Sequence, residues 1–395
     1  MPSHPMNTPP ASPLRIRARH YATGHPLELL CAPDRICSVG PPSPTPPDYA
    51  ADWVAPALFD LQINGCHGNT FSSEQLTAEQ VRQIVTVCRQ HGIGGLCPTL
   101  VTNALPALLH GLTMIRQACE AEPEVAASVP AIHMEGPYIS PEDGPRGAHP
   151  RQHVRPPDWD EFRRLQDAAA GRIRLVTLAP EWTGALRFIE QLVAGGVVVA
   201  LGHTAASGAC IRAAISAGAR LSTHLGNGAH AVLPRHDNYI WQQLAADGLW
   251  ASIICDGQHL PAEVVRCIVR VKTPARTILT CDASGLAGLP PGHYRQWEQD
   301  FEILPQGKII VSGTGYLGGS WTFTDCCVGN VIGFAGVSLH DAVDMASVRP
   351  RELLGLPRAG LEVNDPADLV LFDWHDGAAF RVVGTLVRGK FEKAR

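Results

Sequence analysis

VVVALGHTAAS, residues 197–207, decides the fold: a short apolar run reaches Leu201, breaks at Gly202, and delivers His203 at its end. Three other stretches repeat the layout. AIHMEGP (131–137) carries Glu135, RLSTHLGNGAH (220–230) carries His224, and TILTCDASG (277–285) carries Asp282. Runs of this length read as buried strands, and each chemically capable side chain falls within or just past one. The four span roughly 150 residues, so only a fold that brings distant strand ends to one face can unite them, as a parallel β/α barrel does.

The surrounding sequence supports that fold. From residue 57 onward apolar strands (ALFDLQING, GGLCPTL, PAIHMEG, RIRLVTLAP, GVVVALGH, ARLSTHLG, LWASIICDG, RTILTCDASG) are interspersed with amphipathic segments, including helices near Thr77–His91 and Leu105–Ala121. Strand and helix in alternation predict a parallel sheet with crossover helices, here an α/β fold with a (β/α)8 TIM-like barrel over 57–345. DFEILPQGKIIVSG (300–313) reads as a hairpin insertion. Residues 14–56 and 346–395 form short strand-like pieces and are expected to pair in one small discontinuous β-sandwich domain. The proline-rich residues 1–13 are expected to be disordered.

Composition narrows the function. The 395 residues carry a formal net charge of −5 and no long basic run, which argues against nucleic-acid or anionic-membrane partners and favours a small molecule. No apolar stretch reaches membrane-spanning length and no signal-peptide layout opens the chain, so a cytoplasmic location is expected. The 12 cysteines include no C-x-x-C pair and read as reduced, mostly buried thiols. Lysine occurs only at Lys272, Lys308, Lys390 and Lys393.

Glu135, His203 and His224 offer the one carboxylate and two imidazoles that suit a catalytic divalent ion, zinc above all, with a position left for water. Water on such a metal ionises near pH ~7. Asp282 would then take its proton and pass it to a leaving nitrogen.

The motifs around these residues resemble the N-acetylglucosamine-6-phosphate deacetylase family of the amidohydrolase superfamily. HMEGPYISPEDGPRGAHP is similar to its H-x-E-G-P segment followed by G-x-H, VALGHTAAS to its G-H-(S/T) strand end, and THLGNGAH to its T-H-L-x-N-A segment. DGQHLP, CDASG and GTGYLGGS complete the series in the family's order. The resemblance implies removal of acetate from N-acetylglucosamine 6-phosphate, and a homodimer in which a neighbouring subunit can complete the phosphate site. It points to Ala148, His149, Asn227, Gly228, Arg235, His259, Leu317, Gly318 and Gly319 as substrate contacts. Many superfamily members bind a second metal through an H-x-H pair on the first strand, whereas DLQINGCHG carries Gln62 and Asn64 there; neutral amides are poor zinc ligands, so one metal is expected and Gln62 is left for substrate. A carboxylated lysine bridging two metals is excluded, since no lysine precedes Lys272. Departures fall on the substrate side: Gly228 stands where Ala is usual, RHDN replaces a segment such as R-E-P-G, and His230 and His236 have no clear family counterpart. Two other readings are a related single-metal enzyme deacylating a different N-acyl sugar or amino compound, and a catalytically inactive scaffold.

Overall fold

The computed structural model describes residues 13–297 and 299–394, so the expectation for the proline-rich tail lies, apart from Pro13, outside the described residues. Eight strands form one parallel sheet in sequential order: β1 (Leu58–Ile63), β2 (Ile93–Val101), β3 (Ile132–Glu135), β4 (Ile173–Leu178), β5 (Val198–Leu201), β6 (Leu221–Ser222), β7 (Trp250–Ile254) and β8 (Thr277–Thr280). A parallel bridge between Ile63 and Ala283, just past β8, brings the last strand back to the first. Asp60 reinforces this seam: wholly buried, its carboxylate accepts the backbone N–H groups of Gln62 and Cys281, each at 2.8 Å, and the hydroxyl of Thr324 at 2.5 Å.

Helices cover the barrel because their sequences supply one apolar face and a defined start. In the helix Ala78–Gln90, Val81, Ile84, Val85 and Cys88 are buried at helical spacing, and Thr77 opens it through a reciprocal capping box with Gln80. The expected helix at 105–121 is also present. Outward-facing strand residues such as Leu96, Leu100, Val176 and Val199 join Leu108, Leu112, Phe188 and Val265 of the helices in the main core.

Inside the barrel, Phe59, Leu61, Cys97, Leu175, Ala200, Leu221, Trp250 and Ile278 form a separate cluster near the strand starts. Leu353 and Leu354, from the helix Val348–Leu354, complete it. This corrects the boundary drawn at residue 346, since that helix packs as the floor of the barrel and the C-terminal strands begin only at Leu369. The two chain ends meet in one continuous seven-stranded sheet, with Leu369–Asp373 antiparallel to Tyr49–Pro56 at the junction. Ile16, Leu29, Ile36, Val54, Leu369, Leu371 and Leu386 from both ends share its apolar cluster.

The expected insertion is a three-stranded antiparallel sheet, Gly292–Gln296, Gln299–Ile303 and Ile309–Val311. Its cluster of Phe301, Ile303 and Ile309 packs with Ala148, Trp297 and Tyr316. Three of the residues so gathered line the cavity described next.

Candidate active site

The C-terminal ends of the strands open into a cavity of about 240 Å³ whose lining includes Glu135, His203, His224 and Asp282. Glu135 is the last residue of β3, whereas His203, His224 and Asp282 each follow a strand by two residues. The latter three have positive φ, 51°, 31° and 54°, a left-handed backbone that non-glycine residues rarely hold. Such conformations cost about 1–3 kcal/mol each and persist where the surroundings enforce them. Here the enforcement is tight: Gly202 has no room for a side chain, since a Cβ would lie 2.8 Å from Thr223 Cβ and 2.9 Å from Thr177 Cγ2.

One oxygen organises the centre. Glu135 Oε1 lies 3.1 Å from His203 Nε2 and 2.9 Å from His224 Nε2, and the two imidazole nitrogens are 3.1 Å apart. His203 Nδ1 is 2.8 Å from the carbonyl of Pro145; a carbonyl only accepts, so Nδ1 carries the proton and Nε2 of the neutral ring presents its lone pair to the cluster. Three buried donors converging in this way fit a divalent cation, and the histidine anchored through its second nitrogen is the usual arrangement in such sites. Glu135, His149 and His203 also form a ligand-spaced trio, but His149 Nε2 approaches only the other Glu135 oxygen, at 3.9 Å. The tighter set, with His224, is the better nest for one ion.

Electrostatics separates the two carboxylates. Burial pushes the Glu135 pKa up, but the close approach of the His203 and His224 rings outweighs it and holds the carboxyl well below its usual range. Asp282 is driven the other way, first by burial and then by the charge of Glu135. A pair pushed apart in this sense suits one permanent anion and one proton carrier.

Gln62, expected to be left for substrate, is turned to the two carboxylates. Its Nε2 donates to Glu135 Oε1 at 2.8 Å and to Asp282 Oδ1 at 2.9 Å, and the residue is buried behind the cavity wall rather than lining it. Asn64 adds a third amide bond, Nδ2 to Asp282 Oδ1 at 2.7 Å. The first strand thus uses amides to hold the carboxylates in register.

Ala148, His149, Asn227, Gly228, His259, Leu317, Gly318 and Gly319 all line the cavity. Arg235 does not: it sits exposed on a loop with Val232 and Pro234, and its carbonyl accepts a hydrogen bond from Trp241. His230 is held by Tyr239 and Glu142, and His236 is exposed. The glycine at 228 has a local reason, since its φ is +55° and a Cβ there would lie 2.7 Å from His203 Nδ1. Trp297 and Tyr316 line the cavity without having been read from the sequence. The aromatic content of the insertion was the available signal.

No family model matches the chain. It is 35% identical over 336 residues to the human N-acetylglucosamine-6-phosphate deacetylase, covering 81% of this chain and 79% of that one. It is 30% identical over 330 residues to the N-acetylgalactosamine-6-phosphate deacetylase of Escherichia coli O157:H7, covering 83% and 85%. Among solved structures, an aspartate-to-alanine mutant of the Mycobacterium smegmatis N-acetyl-D-glucosamine-6-phosphate deacetylase, in complex with N-acetyl-D-glucosamine-6-phosphate, superposes with a TM-score of 0.87 at 31% identity, covering 97% of this chain and 100% of that one.

Proposed function

This chain belongs to the N-acetylglucosamine-6-phosphate deacetylase family of the amidohydrolase superfamily, and on that premise we propose that it hydrolyses the N-acetyl group of N-acetylglucosamine 6-phosphate to glucosamine 6-phosphate and acetate. The observation that carries the reading is the convergence of Glu135, His203 and His224 on one point beside Asp282, inside a cavity lined by nearly all the substrate contacts the motifs imply.

Glu135, His203 and His224 would hold one divalent ion, which we take to be zinc; when bound, such an ion acidifies water and polarises an acyl carbonyl. Gln62 and Asn64 both donate to Oδ1 of Asp282, which leaves Oδ2 to receive the proton of the attacking water. Asp282 then returns that proton to the departing amine, acting first as base and then as acid. Burial, and then the charge of His203, push His149 down to about 3, so its ring stays neutral at working pH. With the Thr102 hydroxyl 2.9 Å from Nδ1, the tautomer that keeps its proton on Nε2 can donate to the acyl oxygen as charge develops there.

The wider setting is part of the same proposal. Twelve free thiols suit a reducing, cytoplasmic compartment, and no helix among the described residues is long and apolar enough to cross a membrane. Among the described residues no lysine or arginine lines the cavity, and Arg235 stands outside it on a loop that exposes Val232 at 88% and is followed by Trp241 at 53%. Both facts support a homodimer in which Arg235 from a second copy of this chain meets the phosphate.

The acid/base assignment is tested by Asp282→Asn. We expect kcat to fall at least ~10²-fold with the metal retained, and near-normal turnover would refute the assignment. The E. coli relative favours one further arm, turnover of the galactosamine epimer measured beside the glucosamine substrate.

A further inference from the structure

Asp256 lies two residues past β7, and its carboxylate accepts four hydrogen bonds. Oδ1 takes the backbone N–H groups of Gln258 and His259 at 2.8 and 2.9 Å, while Oδ2 lies 2.8 Å from His259 Nδ1 and accepts the Ser320 hydroxyl at 3.0 Å. The side chains of His259 and Asp256 are only 5% and 2% exposed, yet His259 lines the cavity and Asp256 does not. Ser320 continues the chain of contacts: its N–H donates to the Asp282 carbonyl at 2.8 Å, and its own carbonyl accepts the Ser284 N–H at 2.9 Å.

We propose that Asp256 is a positioning residue for substrate, holding His259 by Nδ1–H so that Nε2 faces the cavity, and fixing the 317–320 turn through Ser320. An ionised carboxylate can only accept, so the proton on the shared edge belongs to Nδ1. Burial raises the Asp256 pKa, but the His259 hydrogen bond and charge and the two backbone donors outweigh it and hold the carboxyl at about 2, so it stays ionised at working pH. The other three cavity histidines, His149, His203 and His224, crowd Glu135; His259 is the imidazole left to read the substrate away from that centre. The same carboxylate therefore orients one substrate contact directly and the Leu317–Gly319 contacts through Ser320.

The inference rests on the deacetylase reading for its substrate, and two measurements keep the two apart. In steady-state kinetics with N-acetylglucosamine 6-phosphate, Asp256→Asn should raise KM about tenfold or more, with a smaller change in kcat and unchanged metal content. His259→Gln should give a similar rise, and the double variant a rise well short of the product of the two, because the ring is shared by both variants while the Ser320 contact is lost only with Asp256. Additive losses, an unchanged KM, or a fall confined to kcat would overturn the proposal. Nitrogen NMR of the wild-type protein with 15N-labelled histidine tests it without turnover: His259 should carry hydrogen on Nδ1, and a bare Nδ1 beside a protonated Nε2 would overturn it even if the variants fail to fold. Absence of acetate release by the wild type counts against the deacetylase reading alone.

Discussion

At the residue scale, the strand-end side chains obey different constraints from the loop side chains near them. Gly202 is held between Thr223 and Thr177, so Gly202→Ala must displace either β6 or His203 itself. Overpacking of this kind costs about 1–3 kcal/mol, and calorimetry of the metal-loaded variant should show a lowered Tm together with weaker metal retention. An unchanged Tm with full metal would mean the strand ends are more compliant than the packing indicates. Glu135, His203, His224 and Asp282 were legible in sequence because a strand end has a fixed meaning in a barrel: apolar period, then a break, then the side chain. The placements of Gln62 and Arg235 were not legible, for opposite reasons. Gln62 belongs to a strand whose partners across the barrel, Glu135 and Asp282, lie 73 and 220 residues away, and no local pattern reveals that it holds two carboxylates. Arg235 sits in a loop whose path is set by contacts such as the Trp241 bond to its carbonyl, which sequence spacing does not encode.

At the element scale, the helices were readable from their apolar faces, and the domain boundary was not. The helix Val348–Leu354 follows Leu339–Ala346 almost directly, and only the tertiary structure shows Leu353 and Leu354 closing the barrel floor. Leu354→Ala should therefore destabilise the barrel by about 2–5 kcal/mol in denaturant unfolding, as for a core residue, whereas a loss below half a kcal/mol would return the helix to the small domain. In the terminal sheet, hydrogen bonds from Arg17, then from Ser43 and Arg15, hold Glu28 at about 2 against its ordinary 4.5, in spite of the opposing effect of burial. The folded pKa is the lower one, so the stabilisation is complete above pH 4.5 and is lost as pH falls from there to about 2. Glu28→Gln should flatten the acid limb of the stability profile in that window. An acid limb as steep as that of the wild type would show that the pair contributes nothing there.

At the scale of the whole molecule, the barrel gathers residues from β1, β3, β5, β6 and β8 into one centre, while the insertion after β8 and the loop after β3 shape the cavity above it. The proposed single ion follows from Gln62 and Asn64, which are engaged in holding Asp282, and from the sequence, in which no lysine precedes Lys272. The most direct test is acetate release from N-acetylglucosamine 6-phosphate while metal-depleted protein is titrated with zinc. Activity should rise in proportion to added metal and saturate at one equivalent per chain; saturation at two equivalents, or no acetate at any loading, would contradict the account.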